Sequence, residues 1–519
     1  MSEKNKKVRT FAAIDVGSFE MGLKIFEISQ KNGIKCINSV KHRLALGNDS
    51  YVRKKISYEK MEELFSTVNK FKEIMREYEV SDYKAYGTSA LRETENTAII
   101  LEQIRSRTGL EVEVLSNSEQ RFLDYKAIAA KGKLFDRIIE KSTAIVDIGG
   151  GSIQISLFDK DRLVQTQALK LGVLRLHERL QEIRPRSTQT EDLLDEMIGS
   201  QIKTFHKVFL KDRDVKNLII MDEYLSPRFH HIVDGVSAEG SISTAGFMDF
   251  AEGLLLRRDE ELENDMELPE EKIALFRLST AIIKRVAGNF EVDTIWATGA
   301  ELCDGIAYEY AEKKKLTRIA HDFEDDILDS AQTVGKRYQS STKHAEAVEK
   351  AALSIFDGMK SVHGMGRRER LLLRLAAILQ DCGKFINMTN VGECSFAIIA
   401  NTEIIGLSHN ERIIVASVVK YNHGPFEYYP EMSGRIGVDR RSYLTIAKLT
   451  AILQLANALD KGKGEKIKKI DAALEKDELR IFVDAKKDML YEQERFDKRS
   501  GFFEEVYGVH PKLYRMKNK

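Results

Sequence analysis

The stretch AIVDIGGGSIQISLFD, Ala144 to Asp159, runs from β-branched residues to an acid, through three glycines and a serine, and back into alternating apolar residues. A hairpin turn explains part of this pattern, since glycine accepts backbone angles that other residues resist, but a turn needs only about two such positions. Three glycines beside a serine also bare the backbone, so that N–H groups can converge on an anion, most often a phosphate. On this stretch alone both readings stand.

A second copy changes the balance. FAAIDVGSFEMGLKIFEI, Phe11 to Ile28, has the same grammar of apolar strand, acid, glycine, serine and apolar-alternating strand. Aligning Asp15 with Asp147 places Gly17 on Gly149 and Ile14 on Val146. One recurrence about a domain's length away predicts two related lobes, not a solenoid. Two such loops facing each other across a cleft would hold a phosphate chain with its metal, the arrangement of the actin-like ATPase fold. Two unrelated hairpins that each carry an acid are the competing reading.

The rest of the chain sets the frame. At 519 residues it is too long for one core and predicts three or four domains. Hydrophobic residues at 43% and charged residues at 31% describe an ordinary globular protein. Lysine and arginine number 81, as do aspartate and glutamate, so net charge points to neither nucleic acid nor a membrane surface. The four cysteines, Cys36, Cys303, Cys382 and Cys394, form no C-x-x-C pair, which fits reduced thiols and a cytoplasmic location. No signal-type stretch opens the chain, and no apolar run approaches the roughly 18 residues a bilayer requires.

Strands are expected over residues 11 to about 46, followed by an amphipathic helix from Tyr58 to Tyr78. YKAYGTSALRETEN predicts a strand ending at Gly87-Thr88-Ser89 and then a helix carrying Arg92 and Asn96. VEVLSNSEQRFLDYKAIAAKG, from Val112, predicts a strand and a helix capped by Ser116 or Ser118. Alternating strands and helices make this half α/β. Beyond about residue 320 the pattern turns helical, and strand alternation returns near Leu479 to Val483. The charged stretch Ala311 to Asp326 reads as a solvated helix face and is the best place for a boundary.

Taken in order, these segments resemble the exopolyphosphatase and guanosine pentaphosphate phosphatase family, Ppx/GppA. AAIDVGSFEMGLKI looks like the family's first phosphate loop, and GTSALRETEN matches A-T-x-A-x-R-x-x-x-N. VLSNSEQRFLDY resembles I-S-G-x-E-E-A-R, AIVDIGGGSIQ resembles D-I-G-G-G-S-T-E, and LKLGVLRL resembles L-G-x-V-R-L with Gly172 and Arg175. LAAILQDCGKFIN is similar to the HD-type helical domain and FFEEVYGVHPKLYRM to the closing segment. The resemblance implies an α/β fold of two actin-like (ribonuclease H-like) lobes, residues 1–135 and 136–315. An α-helical HD-like domain, 316–465, and a small C-terminal α+β segment, 466–519, would follow.

It also implies chemistry: water attacks the terminal phosphate of inorganic polyphosphate or of pppGpp and releases orthophosphate. Such transfer needs phosphates positioned, charge neutralised and water aimed. Asp147 would hold Mg²⁺ or another divalent cation, directly or through waters. Asp15, Gly17, Ser18, Thr88, Gly149, Gly150, Gly151 and Ser152 would surround the phosphates, with Arg92 gripping them in a fork. The partners implied are polyphosphate or a guanosine polyphosphate, with no nucleic acid and no membrane, and a homodimer is consistent with the family.

Several positions depart from the pattern. The E-E pair reads Glu119-Gln120, so Gln120 stands where the usual catalytic base would be, and Gln154 replaces the glutamate of S-T-E. An amide can orient water but cannot take its proton. Glu119, Gln120 and Gln154 are therefore the catalytic candidates, although neighbouring helical residues point about 100° apart. Phe19 and Glu20 replace the frequent N-S. NLIIMDEYLSPRF, Asn217 to Phe229, occupies the place of an expected G-G-T loop. In the helical part the His-Asp pair reads Gln380-Asp381, with His344 and His423 remaining, which favours a structural or ligand-facing bundle over a metal site. A Mg²⁺-dependent hydrolase, an inactive phosphate-binding sensor and an actin-fold kinase are the functions weighed, in that order.

Overall fold

The computed structural model describes residues 8–160, 162–183, 190–210, 213–266, 270–317, 321–460, 462, 466–485 and 487–516. The chain forms two compact units, Met1–Asp322 and Phe323–Lys519.

The first unit is built on two sheets of matching topology. Strands β1 (Arg9–Val16), β2 (Glu20–Ser29), β3 (Gly33–Arg43), β4 (Asp82–Gly87) and β5 (Glu113–Val114) line up as β3-β2-β1-β4-β5. Strands β6 (Thr143–Ile148), β7 (Ile153–Asp159), β8 (Arg162–Leu169), β9 (Asn217–Asp222), β10 (Ser241–Ser243) and β11 (Thr294–Ala297) line up as β10-β11-β9-β6-β7-β8. In each sheet the acid-bearing strand pairs antiparallel with its hairpin partner and parallel with a later strand. The sequence repeat is thus a repeat of topology, two actin-like lobes. β1 and β6 are central strands whose apolar runs are covered on both faces, which is why they read as continuous rather than alternating.

One helix crosses the expected lobe boundary. Leu302–Lys313, placed by sequence in the second lobe, packs on the first sheet, with Tyr310 stacked on Phe11 at 4.1 Å and Ile306 in the same cluster. Its Gly305 lies against the helix Asn117–Ala129 so closely that a Cβ would sit 1.9 Å from the Leu123 carbonyl oxygen. The helix rests there because β1 leaves Phe11 and Ala13 on a face that the first 135 residues do not cover alone.

The second unit is mainly helical. Helices Phe323–Arg337, Thr342–Gly358, Arg367–Leu379, Val391–Asn401, His409–His423 and Arg440–Leu459 are followed by β12 (Ile467–Glu475), β13 (Glu478–Ala485), the helix Leu490–Tyr507 and β14 (His510–Arg515). The three strands form one sheet, β12-β13-β14. No helix among the described residues is long and apolar enough to cross a membrane.

Candidate functional site

The two acid-bearing hairpins close in the same way. Val16 pairs with Met21 and Ile148 with Ile153, leaving a four-residue turn in each, and Gly17 N donates to Glu20 O at 3.1 Å as Gly149 N donates to Ser152 O at 3.0 Å. These two amides close their own turns, so the expectation that Gly17 and Gly149 direct their N–H groups at a phosphate is corrected. Gly17 is required because a Cβ there would lie 2.5 Å from Glu20 O.

The glycine run of the second loop has a further cause. A Cβ on Gly150 would come within 2.9 Å of Ser18 Cβ, and one on Gly151 within 2.6 Å of the Tyr51 hydroxyl. The second loop is pressed against the first lobe, and only glycines allow that approach. It meets a cluster of buried hydroxyls: Ser18 Oγ lies 2.6 Å from Tyr51 Oη and 2.7 Å from Ser89 Oγ. Arg175 ties the contact down, donating to Gly151 O at 2.9 Å, pairing with Glu93 of the first lobe at 2.6 Å and lying over the Tyr51 ring at 4.8 Å. Ser152 is buried beside it.

Between the lobes lies a cavity of about 100 Å³. Of the residues named from sequence, it brings together Asp15, Ser18, Thr88, Gln120, Asp147, Gly149 and Gly150. Gly17, Arg92, Glu119, Gly151, Ser152 and Gln154 do not line it. The Arg92 guanidinium donates to the Leu115 carbonyl at 2.6 Å, though its charge still favours ionised Asp147. Gln154 stands behind the site, its Nε2 donating to Asp147 Oδ2 at 3.3 Å.

Glu119 has a different employment from the one expected. Its carboxylate accepts from Ser116 N at 3.0 Å and Ser116 Oγ at 2.7 Å, while Glu119 N donates back to Ser116 Oγ at 3.3 Å. This capping box starts the helix Asn117–Ala129. The Ser-x-x-Glu spacing in SNSE was the available signal. Gln120, one residue on, faces the cavity, and its Oε1 carries no hydrogen bond.

Four lining acids were not singled out from sequence: Asp124, Asp222, Glu223 and Glu301. Asp124 lies one helical turn beyond Gln120, on the same face. Asp222 ends β9, where an acid at the carboxyl end of a buried parallel strand was the readable cue. Its carboxylate accepts from the amides of Tyr224, Leu225 and Ser226 and from Ser279 Oγ, organising the turn where a G-G-T loop was sought. Glu223 reaches across to the first loop. Phe19 and Glu20 also bridge the lobes, the ring near Tyr224 and the carboxylate paired with Lys272.

The carboxyls give the cavity its electrostatics. Burial pushes Asp15 up to about 7; nearby Glu301 and Asp147 add to this, and Lys41 opposes it. Burial likewise raises Asp147 to about 7 and Glu223 to about 8. Asp124 is raised well above the usual carboxylate range by burial and then by the charges of Asp147 and Asp15. Lys41 pairs with Glu301 at 2.9 Å, and Lys24 with Glu301 and Asp304 at 2.9 and 3.0 Å. Asp15 Oδ1 and Asp124 Oδ2 are buried without a hydrogen-bond partner. Hard, unpartnered oxygens suit a magnesium ion, which takes one or two carboxylates and keeps waters and phosphates as its other ligands. Among the described residues no group of three or more His, Cys, Asp or Glu side chains is preformed around such an ion.

In the helical unit the remnants of the His-Asp pattern are paired with protein groups. His344 Nδ1 meets Asp460 at 2.7 Å, Asp381 meets Lys384 at 2.5 Å, and His423 Nε2 lies 2.7 Å from the Gln380 carbonyl oxygen.

Comparison with known proteins agrees with this architecture. A guanosine-5'-triphosphate,3'-diphosphate pyrophosphatase of Photobacterium profundum is 22% identical over 472 residues, covering 87% of this chain and 88% of the relative. One from Vibrio atlanticus is 22% identical over 458 residues, covering 85% and 86%. Among solved structures, an Aquifex aeolicus Ppx/GppA family member superposes with a TM-score of 0.50 at 18% identity, over 61% of this chain and all of its own. An exopolyphosphatase-like protein gives 0.52 at 18%, over 60% of this chain and all of its own. The Ppx/GppA phosphatase family matches residues 24–314 and its domain III matches 328–497, so this chain belongs to the Ppx/GppA phosphatase family.

Proposed function

We propose that this chain is a phosphohydrolase that removes the terminal phosphate of a phosphoanhydride chain, either inorganic polyphosphate or pppGpp. The observation that carries the reading is the cavity itself: the two duplicated hairpins and the helix Asn117–Ala129 bring Asp15, Asp147 and Gln120 to one wall, with burial raising both carboxyls to a pKa of about 7. Asp147 would hold Mg²⁺, which would neutralise phosphate charge. The Ser18 and Thr88 hydroxyls would meet phosphate oxygens, and the Gln120 amide would orient a water. Asp15, with a pKa of about 7, is suited to accept that water's proton as its oxygen attacks phosphorus and the bridging P–O bond breaks. The named activity of the bacterial relatives supports pppGpp as one substrate.

The test is orthophosphate release from long-chain polyphosphate and from pppGpp with Mg²⁺. The wild type is expected to release phosphate from at least one, and Asp15→Asn to lose about 10²–10⁴-fold. Equal turnover by Asp15→Asn and Asp147→Ala would remove the cavity from the chemistry.

One observation favours a second reading, a binding protein that senses the same polyanions: Gln120 faces the cavity in the register of the family's base, while the adjacent Glu119 is spent on a helix cap. A wild type that binds polyphosphate without cleaving it, together with a Gln120→Glu variant that gains turnover, would establish that reading.

A further inference from the structure

The helical unit contains a cavity of about 330 Å³ of a character opposite to the carboxylate cavity between the lobes. Its floor is amide. Asn422 at the end of the helix His409–His423, and Gln454 and Asn457 on the helix Arg440–Leu459, are 3%, 4% and 6% exposed. Two of them are connected: Asn457 Nδ2 donates to Asn422 Oδ1 at 3.3 Å, and Asn422 Nδ2 donates on to Gln380 Oε1 at 3.0 Å. Gln454 Nε2 donates to the Tyr421 carbonyl at 2.6 Å, while its Oε1 is buried with no hydrogen-bond partner.

The wall is basic. Arg495, Lys498 and Arg499 stand at i, i+3 and i+4 on the helix Leu490–Tyr507, which places them on one face, and among the described residues no carboxylate lines the cavity. Arg495 and Lys498 are drawn toward Glu494 on the same helix, whereas Arg499 has no hydrogen bond or ion pair with any described residue. Burial and the neighbouring Arg495 both push the Arg499 guanidinium below its usual pKa. A guanidinium in that position is suited to a phosphate, which it can grip through two parallel N–H donors. The volume falls at the lower end of small-ligand sites.

We propose that this pocket binds a nucleoside monophosphate, with the phosphate on Arg499 and Arg495 and the base or sugar laid on the amide floor of Asn422, Gln454 and Asn457. An orthophosphate would satisfy the arginines but leave the amide floor uncovered, which is why a phosphorylated nucleoside is preferred over the bare anion. The helical unit would then carry a ligand-reading pocket that shares no residue with the phosphate chemistry of the lobes.

Calorimetric titration of the full-length chain with GMP, AMP, ribose 5-phosphate and inorganic phosphate tests this. At least one nucleotide is expected to bind, at least about tenfold tighter than inorganic phosphate, and Arg499→Leu is expected to weaken it about tenfold or more. Arg499 is only half-buried, so this variant should fold; its circular dichroism melt checks that it does. Gln454→Glu, which replaces the amide with a carboxylate beside the phosphate site, is expected to weaken the nucleotide as well. Asp147→Asn is expected to retain binding, which separates this pocket from the one between the lobes. The proposal is overturned if no nucleotide binds at millimolar concentration, if Arg499→Leu binds as the wild type does, or if inorganic phosphate binds as tightly as the nucleotides.

Discussion

Two adjacent side chains, Glu119 and Gln120, show how differently neighbours on one helix can be used. The Glu119 carboxylate holds the first turn of its helix through Ser116. Glu119→Gln is therefore expected to weaken the cap, costing up to about 1 kcal/mol of stability, while leaving phosphate release within a factor of a few; parallel melts and phosphate assays would show it. Loss of turnover at unchanged stability would return Glu119 to the chemistry. Gln120→Glu replaces the water-orienting amide with a carboxylate, and with Asp15 taking the proton it is expected to change phosphate release by no more than a few fold; a gain of about tenfold or more would move the base to position 120. At this scale the sequence was partly legible. The paired acids and the hydroxyl residues Ser18 and Thr88 follow from the repeated motif. Asp124 and Glu223 do not, because nothing local distinguishes a buried acid from a solvated one; only the folded lobes bring them to the same wall.

Among the elements, the helix Leu302–Lys313 shows what local pattern could not provide. Its apolar spacing identifies a helix, but its seat on the first sheet depends on a return of the chain across the lobes. Gly305 makes the seat possible by admitting the Leu123 carbonyl. Gly305→Ala forces backbone against backbone and is expected to destabilise the first unit by about 1–3 kcal/mol or more. Because the partner helix carries Gln120 and Asp124, activity should fall together with the melting temperature. An unchanged melt would mean that the two helices are not packed this tightly. The paired hairpins, by contrast, were readable as elements, and what the sequence left open was the use of their glycines. They let two loops touch, a requirement of tertiary approach that resembles an anion cradle when only one strand of text is in view.

For the whole molecule, the buried acids tie folding to pH. Asp15 and Asp147 move from about 3.8 to about 7, and Glu223 from 4.5 to about 8. Their folded pKa values exceed their unfolded ones, so between about pH 4 and 8 the native state holds more protons. Stability should consequently fall as pH rises through that window and level off above it. Thermal melts in a chelating buffer are expected to show this decline, and Glu223→Gln should flatten it by removing one of the titrating groups. Equal slopes for the variant and the wild type would exclude Glu223 as a contributor.

The Arg175 strut has a mechanical consequence. Its guanidinium grips the backbone of one lobe and the carboxylate of the other a short way from the cavity, so it acts as a latch whose strength is electrostatic. Prising the lobes apart must break that ion pair, which dissolved salt screens and swelling hydrocarbon contacts do not. Raising the ionic strength therefore weakens one of the contacts that hold the two loops together.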